Sequence, residues 1–241
     1  MRLGEDGDRD KGEGANKGIE LPTVKVMGID PSLNSTGIAM VTKHVPHDNV
    51  ESKIGVIGAK SAREHIEKLY LIGNMIKRYV EDFDPTLIVM EGYSFGSTNG
   101  REVAGEVRGA MYPVLWDSGY SFEGTAGKIY GRIVLVSPGQ LKKFATGSHK
   151  ADKDMIRLQV YKRWRFESET NDAVDAYVLA RIGLAWLDQA ERAALTKCQE
   201  EVIQAVFEPK EKAKKGKGKE SKGSKGSKAK GKAKKETGEG N

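Results

Sequence analysis

Four carboxylates stand where an acid could do chemistry. Asp30 closes the run Val24-Lys25-Val26-Met27-Gly28-Ile29-Asp30, and Glu91 closes Leu87-Ile88-Val89-Met90-Glu91. Each run reads as an apolar strand with an acid at its C-terminal end, the side on which α/β sheets build their sites. Asp172 and Asp175 sit three apart in Thr170-Asn171-Asp172-Ala173-Val174-Asp175-Ala176, a spacing that puts both on one face of a helix. Val174, Tyr177, Val178 and Leu179 require that helix to pack on something, so its acids lie near the packed surface. Like charges within about 4 Å repel by roughly 4 kcal/mol per pair at an effective dielectric near 20. A fold that gathers four acids therefore needs a compensating cation. With one cysteine and four histidines in the chain, the donors are oxygen, which suits Mg²⁺ or Mn²⁺ and not zinc. Taken singly, each acid has a plainer reading. Asp30 could be a turn former or helix cap, Glu91 a strand-end charge, and Asp172 an N-cap or first-turn acid favoured by the helix dipole. The joint pattern of strand–Asp, strand–Glu and helix Asp-x-x-Asp raises the chemical reading above these.

The surrounding elements must bring the acids together. Thr36 to Val41 reads as a second strand after a turn over Pro31 to Ser35, and Val50 to Ile57 as a third. Ile66, Leu69, Tyr70, Met75, Ile76 and Tyr79 recur at helical spacing, so 61–81 is an amphipathic helix that breaks before Pro85. A second helix spans 100–117. Ile133-Val134-Leu135-Val136 is another buried strand, stopped by Ser137-Pro138-Gly139, and helices follow near 152–163 and 171–188, with 188–207 able to extend the last. Three strands in succession, then alternating helices and strands, give a mixed α/β domain with an antiparallel start and parallel strands after it.

Of the 241 residues, 40 are Lys or Arg and 34 Asp or Glu, a net charge of +6. The excess is local: Lys210 to Asn241 holds 13 Lys against 4 acids, leaving the first 209 residues with 27 basic and 30 acidic. This Lys/Gly/Ser-rich segment has no aromatic or branched aliphatic residue and reads as a disordered basic tail. Residues 1–20, with four basic and six acidic residues among glycines, read as a disordered N-terminal segment. Residues 21–209 are left as one sizeable core. The lone Cys198 excludes a disulfide framework and a Cys-based zinc site, and reads as an inert helix residue. No run approaches the 18 apolar residues of a membrane span. With no apolar signal segment at the start, the expected location is cytoplasmic, the host cytoplasm if the chain is virus-encoded.

Gly28-Ile29-Asp30-Pro31-Ser32-Leu33-Asn34-Ser35-Thr36-Gly37 resembles the opening motif of the RuvC family of Holliday-junction resolvases. Val89-Met90-Glu91-Gly92-Tyr93-Ser94-Phe95 is similar to that family's second motif. Gly147-Ser148-His149-Lys150-Ala151-Asp152-Lys153 resembles its basic loop, and Asn171-Asp172-Ala173-Val174-Asp175-Ala176 its last motif. The resemblance covers about Val24 to Leu187, with all four motifs in order. The tails and the Leu141-Lys142-Lys143-Phe144-Ala145-Thr146-Gly147 segment look closer to phage-type members. The resemblance implies a ribonuclease-H-like fold, a mixed five-stranded sheet flanked by helices, and a homodimer. It also implies Mg²⁺-dependent paired nicking of four-way DNA junctions that leaves 5′-phosphate and 3′-hydroxyl ends. Carried over by motif position, Asp30, Glu91, Asp172 and Asp175 are the catalytic, metal-binding acids, with two Mg²⁺ per site and Mn²⁺ as a substitute.

Lys142, Lys143, His149, Lys150 and Lys153 flank a glycine-containing loop that could approach a phosphate or could be a solvated basic loop. With the resemblance, Lys150 and Lys153 become phosphate contacts; His149 stays outside the catalytic set, and Asp152 is a cap for the helix that follows. Tyr93 or Phe95 would be the aromatic that stacks into the junction centre, the other being core. Arg101 and Arg108 could touch the DNA backbone or lie on a solvated helix face. Gly105 and Gly109 permit close helix packing, as at a dimer interface. Three rivals remain. One is a branched-DNA nuclease that also cuts forks, flaps and three-way junctions, and another a non-catalytic junction-binding protein. The third, an actin-like phosphate-binding hairpin, would need a second lobe that the core is too small to supply.

Overall fold

The computed structural model describes residues 23–45, 49–58, 62–93, 101–122 and 131–209. In chain order the elements are β1 (Thr23–Asp30), β2 (Thr36–His44), β3 (Val50–Ile57), α1 (His65–Phe83), β4 (Leu87–Glu91), α2 (Arg101–Asp117), β5 (Tyr120–Ser121) and β6 (Gly131–Val136). Then come α3 (Pro138–Thr146), α4 (Lys153–Trp164), α5 (Asn171–Leu187), α6 (Gln189–Ala193) and α7 (Lys197–Phe207). The expected termini segments, 1–20 and 210–241, lie outside the described residues.

One sheet runs in the order β3-β2-β1-β4-β6-β5. β1, β2 and β3 form an antiparallel meander, while β1, β4, β6 and β5 are mutually parallel. The sequence pointed to five strands; the sheet has six. The extra one, β5, is a two-residue edge strand, too short for any alternation of apolar and polar residues to show.

The alternation of side chains across the strands decides which residues meet which helix. On β1, Met27 and Ile29 join the core beneath α1 and α2, together with Ile88 and Met90 of β4 and Ile72 and Ile76 of α1. Val26 of β1 and Leu87 and Val89 of β4 join the opposite core beneath α5. Gly28 and Asp30, two and four residues beyond Val26, therefore share the α5 face, as does Glu91, two beyond Val89. β1 and β4 are in parallel register up to Ile29 opposite Met90. The two acids consequently leave neighbouring strands at the same end and on the same face.

Helix α5 lies directly on that face. It is apolar nearly all round, with twelve consecutive or near-consecutive buried residues from Ala173 to Ala185, which marks a central core helix and not a surface one. Its approach is close enough to exclude side chains beneath it. A Cβ on Gly28 would stand 2.0 Å from the Ala176 carbonyl oxygen, and one on Gly37 would stand 2.0 Å from that of Asp172. These two strand glycines thus set the height of α5, and with it the reach of Asp172 and Asp175 toward Asp30. Replacing Gly28 by Val should force α5 away and destabilise the fold by about 1–3 kcal/mol or more. Chemical denaturation checks the size of that loss, and wild-type stability in the variant would mean the helix can ride higher at no cost.

Beyond Val136 the sequence suggested only a stop and a basic segment. It is a helix, α3, begun by a capping box: the Ser137 side chain accepts from the Gln140 N–H and the Gln140 side chain accepts from the Ser137 N–H, with Pro138 at the first turn. Nor does the last helix continue to 207. Asp188 ends α5 and caps α6, its Oδ1 accepting from Glu191 N–H at 2.8 Å. Thr196 and Gln199 form a second capping box that starts α7. A buried ion pair, Lys43 Nζ to Asp188 Oδ1 at 3.0 Å, ties this break to β2. Cys198 lies half-buried in α7.

Candidate active site

The turn after β1 is closed by Thr36, whose hydroxyl donates to the Ser32 carbonyl at 2.6 Å and accepts from the Ser32 N–H at 3.1 Å. This fixes the exit of the strand that carries Asp30. Asp30 is only 8% exposed. Its carboxyl is pushed up to about 9, first by burial, then by a hydrogen bond to the Glu91 side chain and by the negative charges of Glu91 and Asp172. Glu91 is also raised, chiefly by burial, with the charge of Asp175 adding to it and Arg108 and Lys153 opposing it. Asp30 and Glu91 thus share a proton, with Asp30 as its donor. Asp175 is pushed up to about 7 by burial and by the charges of Asp30 and Asp172, against the pull of Lys153 and Lys142. Asp30 caps no helix, and the N-cap of α5 is not Asp172 but Thr170, whose hydroxyl accepts from Ala173 N–H. Asp172 does sit in the first turn of α5, the other plain reading of that acid.

The four acids from β1, β4 and α5 therefore feel one another across a largely desolvated space. Among the described residues no group of three or more His, Cys, Asp or Glu side chains is placed to hold a metal ion as it stands. The donor chemistry nonetheless fits a hard divalent cation. Every acid is an oxygen donor, Asp30 is buried and the other three are half-buried, and the protein balances its charge with a shared proton and two lysines. Such a proton is what a cation displaces on binding.

The basic residues divide by position. Lys153, in the first turn of α4, acts on Asp30, Glu91 and Asp175 alike, so it faces the cluster. Lys142 of α3 acts on Asp175. Lys150 is exposed on the short α3–α4 connection. Lys143 differs: its Nζ pairs with Glu201 of α7 at 2.7 Å, so part of its charge is already engaged in holding α7 on α3. His149 donates from Nδ1 to the Gly139 carbonyl, 3.0 Å away, and pins the connection to the start of α3. Asp152 caps α4 as expected, accepting from Met155 N–H at 2.8 Å.

Of the two candidate aromatics, Tyr93 is exposed just beyond β4, while Phe95 lies outside the described residues. Arg108, read as a possible DNA contact, is 3% exposed and turns inward instead. Its Nη2 donates to the carbonyls of Glu91 and Gly92 at 2.9 and 3.1 Å. The signal was present: Ala104, Arg108, Met111 and Leu115 fall on one helical stripe, which puts the arginine on the packed face. The side chain of Arg101 lies outside the described residues.

A sheet of this order, antiparallel at one side and parallel at the other, covered by helices on both faces, defines a ribonuclease-H-like α/β domain. The chain belongs to the crossover junction endodeoxyribonuclease RuvC family, whose sequence model matches residues 26–182. Curated relatives include the RuvC endonuclease of Pseudarthrobacter chlorophenolicus, 26% identical over 166 residues that cover 68% of this chain and 81% of that one. That of Thermobifida fusca is 27% identical over 170 residues, covering 70% and 87%. The fold is similar to that of Thermus thermophilus RuvC, with a TM-score of 0.52 at 18% identity over 65% of this chain and 91% of that one. It also resembles the same organism's RuvC in complex with a Holliday junction substrate, with a TM-score of 0.54 at 17% identity over 72% and 98%.

Proposed function

We propose that this protein is a structure-selective DNA endonuclease that resolves four-way junctions by metal-dependent paired nicking, leaving 5′-phosphate and 3′-hydroxyl ends. The observation that carries the reading is the meeting of Asp30, Glu91, Asp172 and Asp175 at one end of the sheet, with Lys153 over them. Asp30 and Glu91, with Asp172 and Asp175 across from them, would hold two Mg²⁺ ions or Mn²⁺ in their place. Bound there, such ions supply Lewis acidity toward a phosphodiester and a more acidic water.

The chain's own groups do the rest. Lys153 and Lys142 place positive charge beside the acids, where the scissile phosphate would lie, and Lys150 extends that charge outward along the strand. Lys143 contributes less, being shared with Glu201. Tyr93, two residues past Glu91, offers a ring on which an unpaired base at the junction centre can stack, worth roughly 1–3 kcal/mol; Phe95 is the alternative. Nicks on two strands require two copies, and a homodimer supplies them. Exposed Ile66 and Tyr70 of α1 and Val103 of α2, beside Gly105 and Gly109 whose Cα positions face open space, make the α1–α2 layer the face for the second copy. Among the described residues no helix is long and apolar enough to cross a membrane, and a cytoplasmic location suits a DNA substrate.

A binding-only protein is disfavoured because crowded, desolvated carboxylates destabilise a fold that has no cation to collect. The test is a panel of labelled four-way, three-way, fork and duplex substrates with Mg²⁺. Symmetric, ligase-sealable nicks confined to four-way junctions support resolution. Equal cutting of forks and flaps replaces it with a broader branched-DNA nuclease, and tight binding without cleavage in Mg²⁺ or Mn²⁺ leaves a binding module. On the same panel, a chain ending at Pro209 should bind every substrate more weakly with a flatter salt slope, each lost phosphate contact removing about 0.9 from it, and with its preference intact.

A further inference from the structure

Arg108 does something that neither phosphate binding nor ordinary core packing accounts for. It sits midway along α2, buried, and four of its N–H···O contacts are to main-chain carbonyls. Nε and Nη2 both donate to Glu91 O, at 3.2 and 2.9 Å; Nη2 also donates to Gly92 O at 3.1 Å, and Nη1 to Ala104 O at 3.0 Å. Its guanidinium carbon lies 4.5 Å from the centroid of the Tyr93 ring. Among the described residues no carboxylate pairs with it directly.

The need for such a clamp follows from the sheet. β4 stays in register with β6 up to Glu91 opposite Val136, and Gly92 N–H still donates to Val136 O at 2.7 Å. On its other side the ladder to β1 ends at Ile29 and Met90. The carbonyls of Glu91 and Gly92 thus lie past the end of one ladder, where buried acceptors need a donor from elsewhere. The planar fork of one guanidinium meets both and lies over the next ring along the chain. A lysine ammonium is a point donor and cannot do these together.

We propose that Arg108 is a positioning residue for nicking: it holds the Glu91–Gly92 backbone so that the Glu91 carboxylate is aimed at Asp30, and it couples that aim to the Tyr93 ring. The proposal rests on the reading of Glu91 as a catalytic acid and assigns a role to a side chain that never touches DNA. A base stacked on Tyr93 would press on the same guanidinium that fixes Glu91, so engagement of the junction and alignment of the acid become one event.

The experiment compares wild type, Arg108→Lys, Arg108→Met, Tyr93→Leu and the Arg108→Lys/Tyr93→Leu pair on a four-way junction. Melting temperature and circular dichroism report folding, junction Kd is measured in Ca²⁺, and single-turnover nicking is measured in Mg²⁺. Arg108→Lys should fold and bind the junction as wild type does, yet nick about 10²-fold more slowly, the cost of misplacing a reacting group by an ångström or so. The double variant should lose scarcely more than Arg108→Lys alone, because both changes cut one linkage. A folded Arg108→Lys that nicks at the wild-type rate overturns the proposal. So does a rate loss that disappears when the assay is cooled below the variant's melting range, or one that simply adds to that of Tyr93→Leu. A wild-type protein that nicks no branched DNA overturns the proposed function as well, which separates the two failures.

Discussion

Asp30→Asn should leave junction binding essentially unchanged and reduce nicking by at least about 10³-fold, a loss of roughly 4 kcal/mol of transition-state stabilisation. The amide matches the carboxyl in shape and can still donate to Glu91, as Asp30 does now. What it removes is the ability to ionise, and so to offer a carboxylate to a cation, at the one point that faces Glu91 and Asp172 together. Affinity for DNA comes mainly from basic residues meeting phosphates, and none of those is altered. Binding is therefore predicted to survive. Electrophoretic shift in Ca²⁺ and single-turnover cleavage in Mg²⁺ give the two readouts on the same junction. Undiminished cleavage by this variant would remove Asp30 from the reaction, and with it the assignment of the whole cluster.

The placement of that acid was legible in the sequence because strand periodicity carries parity. Val26, Gly28 and Asp30 alternate with Met27 and Ile29, and Leu87, Val89 and Glu91 with Ile88 and Met90. Once α5 is assigned to one face, both acids must share it. What stayed hidden depended on contacts between distant residues or on elements too short to show a period. β5 has two residues. Lys143 looks like any loop lysine until Glu201, 58 positions on, is seen beside it. The capping boxes at Ser137 and Thr196 follow local rules, yet they were read through: Ser137-Pro138-Gly139 looked like a stop because Pro and Gly punctuate loops as readily as they start helices. Arg108 is neither the DNA-backbone contact nor the solvated helix-face charge that the sequence suggests, although its spacing with Met111 and Leu115 already places it inside.

In the absence of divalent cations the folded protein should lose stability steadily as pH rises from about 4 to 9, the opposite of the trend set by ordinary paired carboxylates. In the unfolded chain Asp30 and Asp175 give up their protons near 4. In the folded chain Asp175 keeps its proton to about 7 and Asp30 to about 9, because burial and neighbouring acids oppose ionisation. Between those limits the native state binds more protons than the unfolded one, so each rise in pH favours unfolding. Asp188 sets the opposite limb: burial alone would raise it, but the Glu191 N–H and Lys43 outweigh that and hold it below its ordinary value. Its contribution is present above its unfolded pKa and fades only as the solution becomes strongly acid. The cluster's cost by pH 8 should amount to a few kcal/mol, or a melting temperature lower by roughly 5–10 °C than near pH 5. A divalent cation reverses the sign of the effect, since it binds the ionised acids and only in the folded state, so the stabilisation by Mg²⁺ or Mn²⁺ should grow with pH. Asp30→Asn, which removes the most strongly shifted carboxyl, should be more stable than wild type in chelator at pH 8 and should gain less from added metal. Calorimetric melts in chelator and in Mg²⁺ across this range decide the matter. Melting temperatures that stay level or climb with pH in chelator would mean that the acids are not crowded together, and metal-dependent nicking would lose its physical basis.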